Sequence, residues 1–527
     1  MKLQIAILSS MCWVGAAHAQ SASGGSIGGS TGGLISSDQF QNQIAVESAW
    51  WSQLGGSSLR NGNSPTNQTS GSILLDPDWI SDGDGDLQLS FTPHASAVCD
   101  DERVYVLGLD QEFTHRLSSF DLNDGSMVWS SEIPFKLLDS WSSPSIDPHN
   151  NTIVVAAGFT LLAIDCLSGE QVWSIDLGMP LVNASPCVTD DLDCSDRVFL
   201  TDYSFSSGSL GMLYCVNVDP FDAVLNPYQP GELVWAAGLP GECSGNTPAY
   251  HDGVVYVSTA DNGSGGAGHV LAFDARALMT PEPLWDTQNP QPIGFFSGVS
   301  VADGAVYASS YNFSGGQRSA NTIKLRASDG QVQWSAPTVR TDAAPVILGD
   351  GRIVVSGGVP TSPSTFFSGS LPAIELIEDL GDSAVVLWDS FEATHEDLNT
   401  NGQWDQGEPY LSLGGWGHQP LVYRDRGSPK LLVGSMLPPT FNDPLTHAGS
   451  LHTIDLSKHP TESGFVISTQ KDAGTTPALF GNRVLTTSSS GIASLHLSRA
   501  PITGSLIQQI RDVVDGHAPI ESLRGNR

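Results

Sequence analysis

The chain has 527 residues, of which 22 are Lys or Arg and 56 are Asp or Glu, a formal net charge of −34. A field of that sign repels phosphate and anionic lipid surfaces, which excludes nucleic-acid binding. Most of the carboxylates then form a solvated acidic surface, compatible with solubility outside the cell and with cation binding.

Residues 1–19 read as a secretory signal. Lys2 gives the positive start, an apolar run extends from Leu3 to Val14, and Ala17-His18-Ala19 supplies the small-residue cleavage pattern before Gln20. The run is too short to span a bilayer, and no later one approaches the ~20 residues required, so no transmembrane segment is predicted. Cys12 has no small residue immediately before it, so the chain does not read as a lipoprotein. It is expected to be exported, to the periplasm or beyond the cell. Residues 20–45 follow as a flexible leader, Gly/Ser-rich through Asp38.

From there to residue 499 the chain repeats itself. Four segments end in Trp four residues after a Gly: Gly125–Trp129, Gly169–Trp173, Gly231–Trp235 and Gly330–Trp334. Looser copies end at Trp285, Trp388 and, with a substitution, Phe465. Upstream of each lie short runs rich in β-branched and aromatic residues, such as 104–108, 153–158, 254–258 and 484–488. Turn residues separate them, which predicts antiparallel meanders. A small or polar residue and then Pro opens most units, as at 143–144, 185–186, 247–248 and 419–420. Pro fits a strand's first residue because no ladder donor is needed there.

Eight such units are present. A lone four-stranded sheet cannot bury both faces, whereas a radial array buries them all. The last unit, 483–497, lacks a Trp-bearing strand, and the early segment 72–79 has that strand alone. The expected fold is all-β: an eight-bladed β-propeller of four-stranded antiparallel blades over residues 46–499. Its N-terminal strand, around Leu74–Trp79, closes the last blade. The repeated Trp residues are expected to be packed core.

Six cysteines remain after signal removal. Cys187 and Cys194, bracketing a short turn, form the best local disulfide pair. Cys99, Cys166, Cys215 and Cys243 are either buried thiols or further pairs.

One motif carries sharp chemistry. Residues 397–408, DLNTNGQWDQGE, match the calcium-loop pattern D-x-[DN]-x-[DN]-G-x5-E throughout. Calcium takes six to eight hard oxygen ligands in a flexible loop. Asp397, Asn399 and Asn401 would offer side-chain oxygens, Gln403 its carbonyl, and Asp405 a direct or water-mediated contact. Glu408 would close the site as a bidentate carboxylate. Pro409 disfavours a following helix, so the loop (393–412) reads as a calcium-stabilised insert between blades rather than a switch. Asp82, Asp84 and Asp86 alternate in a second acidic stretch without a twelfth-position Glu, leaving a solvated turn and a metal site both open. GSGGAG (263–268) reads as a turn between strands, and His418 as a structural histidine. Residues 500–527 form a tail with a short amphipathic helix over 505–516.

The copy LLAIDCLSGEQVW (161–173) resembles the pyrroloquinoline-quinone-type propeller repeat, A-x-D-x-x-x-G-x-x-x-W. WWSQLGGSSLRNGNSP (50–65) is similar to the lead-in of many bacterial propellers of that type. The family's dehydrogenases hold quinone and calcium at the axis, the best-known with an adjacent Cys pair that this chain lacks, so pyrroloquinoline quinone is not expected. Other members are non-catalytic, such as the propeller of the outer-membrane β-barrel assembly machinery, which this chain resembles in its short blades. The resemblance implies a fold more firmly than a function. The expected role is a monomeric, non-enzymatic binding or scaffolding platform for a protein or other cell-envelope ligand, with structural calcium. The alternative is a quinone-dependent dehydrogenase of alcohols or sugars; a carbohydrate-active propeller would need paired axial carboxylates.

Overall fold

The computed structural model describes residues 50–499 apart from 64–68, 92–93, 193–194, 206, 261–265, 314, 360–369, 403, 406, 437–447, 472, 475 and 489–490. The expected signal, leader and C-terminal helix lie outside the described residues.

Alternating short β-rich runs and turns fold into eight antiparallel sheets. Blade 2 illustrates the unit: Ser145–Asp147, Thr152–Ala157, Thr160–Asp165 and Gln171–Asp176 pair in sequence order from the axis outward. Blades 1 and 3 to 7 follow the same order, and blade 1 carries an extra short strand, Leu89–Phe91, on Arg103–Asp110. Blade 8 takes three strands from the chain's end, Ala478–Phe480, Arg483–Ser488 and Gly491–Ser498. Its outer strand is Ile73–Ser81, from the chain's beginning. The innermost strands of blades 8 and 1 touch, closing the ring.

The core lies between blades. The seven larger hydrophobic clusters each join neighbours, as Ile153 and Val155 of blade 2 meet Tyr105 and Leu117 of blade 1. The repeated Trp residues are the wedges. Trp129, Trp173, Trp235, Trp334 and Trp388 sit beside the same bulge in their outer strands, and Trp79 holds that place in blade 8. Each leans on the turn before the outer strand of the next blade. Trp79, Trp129, Trp235 and Trp285 donate through Nε1 to the carbonyls of Leu122, Cys166, Ala277 and Ala327 at 2.9–3.1 Å.

The repeat's Gly is required twice over. Gly169 has φ +76°, and a Cβ there would stand 2.7 Å from the Trp129 indole. It supplies left-handed backbone and the flat floor on which the ring lies.

One sequence expectation is corrected. Phe465 does not replace Trp in blade 7: it precedes the outer strand Val466–Lys471, in the turn that receives Trp388, with ring centroids 5.5 Å apart. Ser468 holds the Trp register. The reason is topological. Blade 8 has no turn there to receive a Trp, because its outer strand enters from the N-terminus. Ser468 instead accepts the Leu74 amide at 2.9 Å.

Candidate functional site at the propeller axis

The lead-in segment winds around the inside of the ring. Its carbonyls accept, in turn, the amides of the inner strands. Trp51 takes Cys99 of blade 1, Ser52 takes Ile146 of blade 2, and Ser58 takes Tyr250 of blade 4. Leu59, Asn61 and Gly62 then take Val301, Ile347 and Val422 of blades 5 to 7. Blade 3 is reached by a side chain: Gln53 donates to the Val188 carbonyl at 2.7 Å and accepts its amide at 3.1 Å. One turn of chain thus ties seven blades together and fills the axis at that level.

Three residues earlier on each inner strand, a second ring links the blades. The Ser96 amide donates to Ser143 Oγ, Ser143 to Ser185 Oγ, and Ser185 to Thr247 Oγ1, each at 2.9 Å. Gln419 closes the same link to the Ala344 amide at 2.9 Å. These are the small or polar residues that open the repeat units.

Above this ring, on the face formed by the second-to-third-strand turns and the inter-blade connections, an aromatic cluster surrounds the axis. His94 and His418 have ring centroids 5.0 Å apart, Trp141 and Trp416 5.5 Å, and Trp416 and Tyr311 5.9 Å. His418 is fully buried, which holds its imidazole well below the usual histidine range. Asp342, whose amide donates to the Trp416 carbonyl, has a buried Oδ1 with no hydrogen-bond partner among the described residues. Burial alone pushes its carboxyl well above the ordinary carboxylate range. Asp342 and Glu242 together raise the Tyr203 phenol, after burial. Chemically this is a buried acid beside aromatic rings, with its protonated form favoured by burial.

The same face carries an apolar patch over blades 1 and 2. Phe113, Phe135, Leu138 and Phe159 are 75%, 65%, 68% and 44% exposed. Phe135 packs edge-on against His115 at 4.9 Å. Phe113 and Leu138 have φ +63° and +53°. A left-handed backbone costs a bulky residue about 1–2 kcal/mol, so local structure must enforce it. Asp110 does this for Phe113, accepting the amides of Glu112 and Thr114 at 2.9 Å.

Of the predicted calcium ligands, Asp397, Asn399, Asn401, Asp405 and Glu408 lie together in the loop after blade 6; Gln403 lies outside the described residues. Asp397 accepts the amides of Asn401 at 3.1 Å and Gly402 at 2.7 Å. The side-chain amides of Asn399 and Asn401 both donate to Asp405 Oδ2. Glu408 is turned to the loop's own main chain, accepting Leu398 and Asp405 amides at 2.8 Å. These bonds hold its carboxyl below the usual range.

Cys187 is a free, fully buried thiol packed with Phe199 and Cys215, and desolvation pushes it up to about 12. Its expected partner, Cys194, lies outside the described residues. Cys99, Cys166, Cys215 and Cys243 are also free buried thiols. Asp84 caps a turn through the Leu87 amide at 2.9 Å. GSGGAG joins two strands of blade 4, with 261–265 outside the described residues.

Sequence reasoning missed Asp342, the apolar patch and the axial role of the lead-in. Asp342 carries no signal, because it is an isolated acid before an inner strand. The lead-in did carry one: a Gly-rich stretch with an embedded Gln and Arg, outside any blade unit.

Comparisons with known proteins agree with this architecture. A family model for the outer membrane protein assembly factor BamB matches residues 80–219 and 223–361. The crystal structure of BamB from Moraxella catarrhalis superposes with a TM-score of 0.50 at 15% identity, covering 81% of this chain and 99% of that one. A europium-containing methanol dehydrogenase gives 0.57 at 12% identity, covering 86% and 92%. The quinohemoprotein alcohol dehydrogenase from Comamonas testosteroni gives 0.54 at 12% identity, covering 88% and 83%. At those identities the likeness is one of fold. No curated protein sequence matches. With the family model covering more than half of its length, this chain belongs to the family of the outer membrane protein assembly factor BamB.

Proposed function

We propose that this chain is an exported, non-enzymatic binding platform of the cell envelope, engaging a protein partner through the apolar patch on blades 1 and 2. The observation that carries this reading is the patch itself. Phe113, Phe135, Leu138 and Phe159 are large and exposed on the same face of blades 1 and 2, and two of them stand on strained backbone. Exposed apolar groups of this kind mark interaction surfaces, and strain persists where surrounding structure over-determines it. The family name, an assembly factor, supports the same reading. A photo-cross-linking amino acid at Phe135, in the producing cell, is expected to yield one dominant protein adduct that Phe113→Asp abolishes. Absence of any adduct would remove the reading.

Calcium in the 397–408 loop belongs to this proposal. Asparagine amide orientation is interchangeable in shape. Turning Asn399 and Asn401 over would replace two N–H donors beside Asp405 with two oxygens. Chelation of the exported protein is then expected to lower its melting temperature by several degrees and restore proteolysis within 397–408. An unchanged cleavage pattern would count against calcium.

A second reading, a quinone-dependent dehydrogenase, draws support from Asp342, Glu242, Tyr203 and the aromatic rings at the axis. Dye-linked oxidation of alcohols or sugars after adding quinone and calcium would favour it over the first.

A further inference from the structure

The axis holds a charge without a counter-charge. Arg60, on the lead-in, is 3% exposed, and its Nε and Nη1 have no hydrogen-bond partner among the described residues. Burial lowers the guanidinium to about 10, so it still carries its proton at neutral pH. A buried, unpaired cation costs several kcal/mol and does not persist without compensation.

The position of that guanidinium is set by a gap in the second axial ring. Blades 1 to 4 contribute Ser96, Ser143, Ser185 and Thr247 to that ring, but blade 5 contributes Gly298 at the same place, three residues before Val301. A Cβ on Gly298 would stand 3.3 Å from Arg60 Cζ and would strike the Thr247 carbonyl. Arg60 therefore occupies the place of the missing side chain. Its main chain is pinned there, since Ser300 Oγ donates to the Arg60 carbonyl at 3.0 Å.

The ring beside it has donors to spare. Ser143, Ser185 and Thr247 each use the hydroxyl oxygen to accept a main-chain amide, and none of their O–H groups has an acceptor among the described residues. Thr476, at the same ring position in blade 8, is 3% exposed, and its hydroxyl has no partner among the described residues. Two N–H groups of a fixed cation and several unspent hydroxyls, in a dry setting without a nearby carboxylate, are what a small anion requires.

We propose that the propeller axis is an anion site, in which Arg60 and the hydroxyl of Thr247, its neighbour across Gly298, hold one small monovalent anion, a halide or a carboxylate of formate size. The anion fastens the lead-in to the ring from within. This site is independent of the partner surface on blades 1 and 2.

The test is a crystal of the full exported chain grown in bromide, with data collected at the bromine edge. An anomalous peak in contact with Arg60 Nε and Nη1 is expected. In solution, raising chloride or bromide from 1 to 100 mM at fixed ionic strength should raise the melting temperature by several degrees in the wild type, by mass action on the folded state. Formate in place of halide separates a carboxylate source from a halide source. Arg60→Met should abolish the response; if that variant does not fold, Arg60→Lys and the wild-type diffraction decide. Water alone against the guanidinium, or a melting response equal in wild type and variant, overturns the proposal.

Discussion

Seven of the eight seams between blades are built one way and the eighth another. At an ordinary seam a Trp lies on the turn before the outer strand of the next blade, and in four of the seven that turn bears a Gly under the ring, as Trp129 lies on Gly169. At the closing seam, between blades 7 and 8, Ser468 stands at the Trp register and holds the incoming segment by accepting the Leu74 amide and donating to the Ser72 carbonyl. A cleft of about 290 Å³ remains there, lined by residues including Pro77, Ile80, Gln470 and Leu495. A wedge needs a turn to rest on, and the seam where the two chain ends meet has none. Sequence periodicity therefore breaks where the topology breaks.

Removing a wedge should have the largest effect. Trp235 is 3% exposed and bonded to Ala277, so Trp235→Ala is expected to cost about 3–5 kcal/mol in urea denaturation. A cost below 1 kcal/mol would erase the distinction between seams.

Next comes Lys136, buried in the connection between blades 1 and 2 with Nζ 3.2 Å from the Ser142 carbonyl. Burial lowers its ammonium from 10.5 to about 7. Between those values the unfolded chain binds a proton that the folded chain does not, so stability falls as pH drops through the window and is flat below it. From about pH 9 to about pH 7 the loss is about 2–3 kcal/mol, and Lys136→Met should remove it. Asp147, Asp190 and Asp202 act oppositely, since burial raises them from 3.8 to about 6. Their contribution is present below the lower value and lost as pH rises through the upper one. Denaturation curves across pH check both signs.

Gly169→Ala places a Cβ against the Trp129 indole at φ +76°. An expected cost of about 2 kcal/mol combines left-handed strain with overpacking. Ser468→Ala, by contrast, should cost only about 1 kcal/mol, the worth of its hydrogen bond to Leu74. Ser468→Trp should not stabilise the protein, because nothing there receives the ring.

The fold was legible because its signals are local and repeated. Gly125 to Trp129 encodes a turn, a bulge and a wedge within five residues. The closing strand was legible as well, since 72–79 has an outer strand's residues and no blade of its own. Phe465 misled because an aromatic after a Gly looks like a wedge, and only strand register separates it from the floor beneath one. The axis was not legible: Arg60, Gly298 and Thr247 lie far apart in the chain, and only ring closure sets them side by side. The calcium pattern is local, and in the fold Asp397 accepts the Gly402 amide.

Native-state hydrogen exchange on two outer strands, Ile73–Ser81 of blade 8 and Gln171–Asp176 of blade 2, tests the unequal-seam account most directly. The account predicts that Ile73–Ser81 exchanges through a separate, lower-energy opening while Gln171–Asp176 waits for global unfolding. Equal protection of the two strands would contradict it.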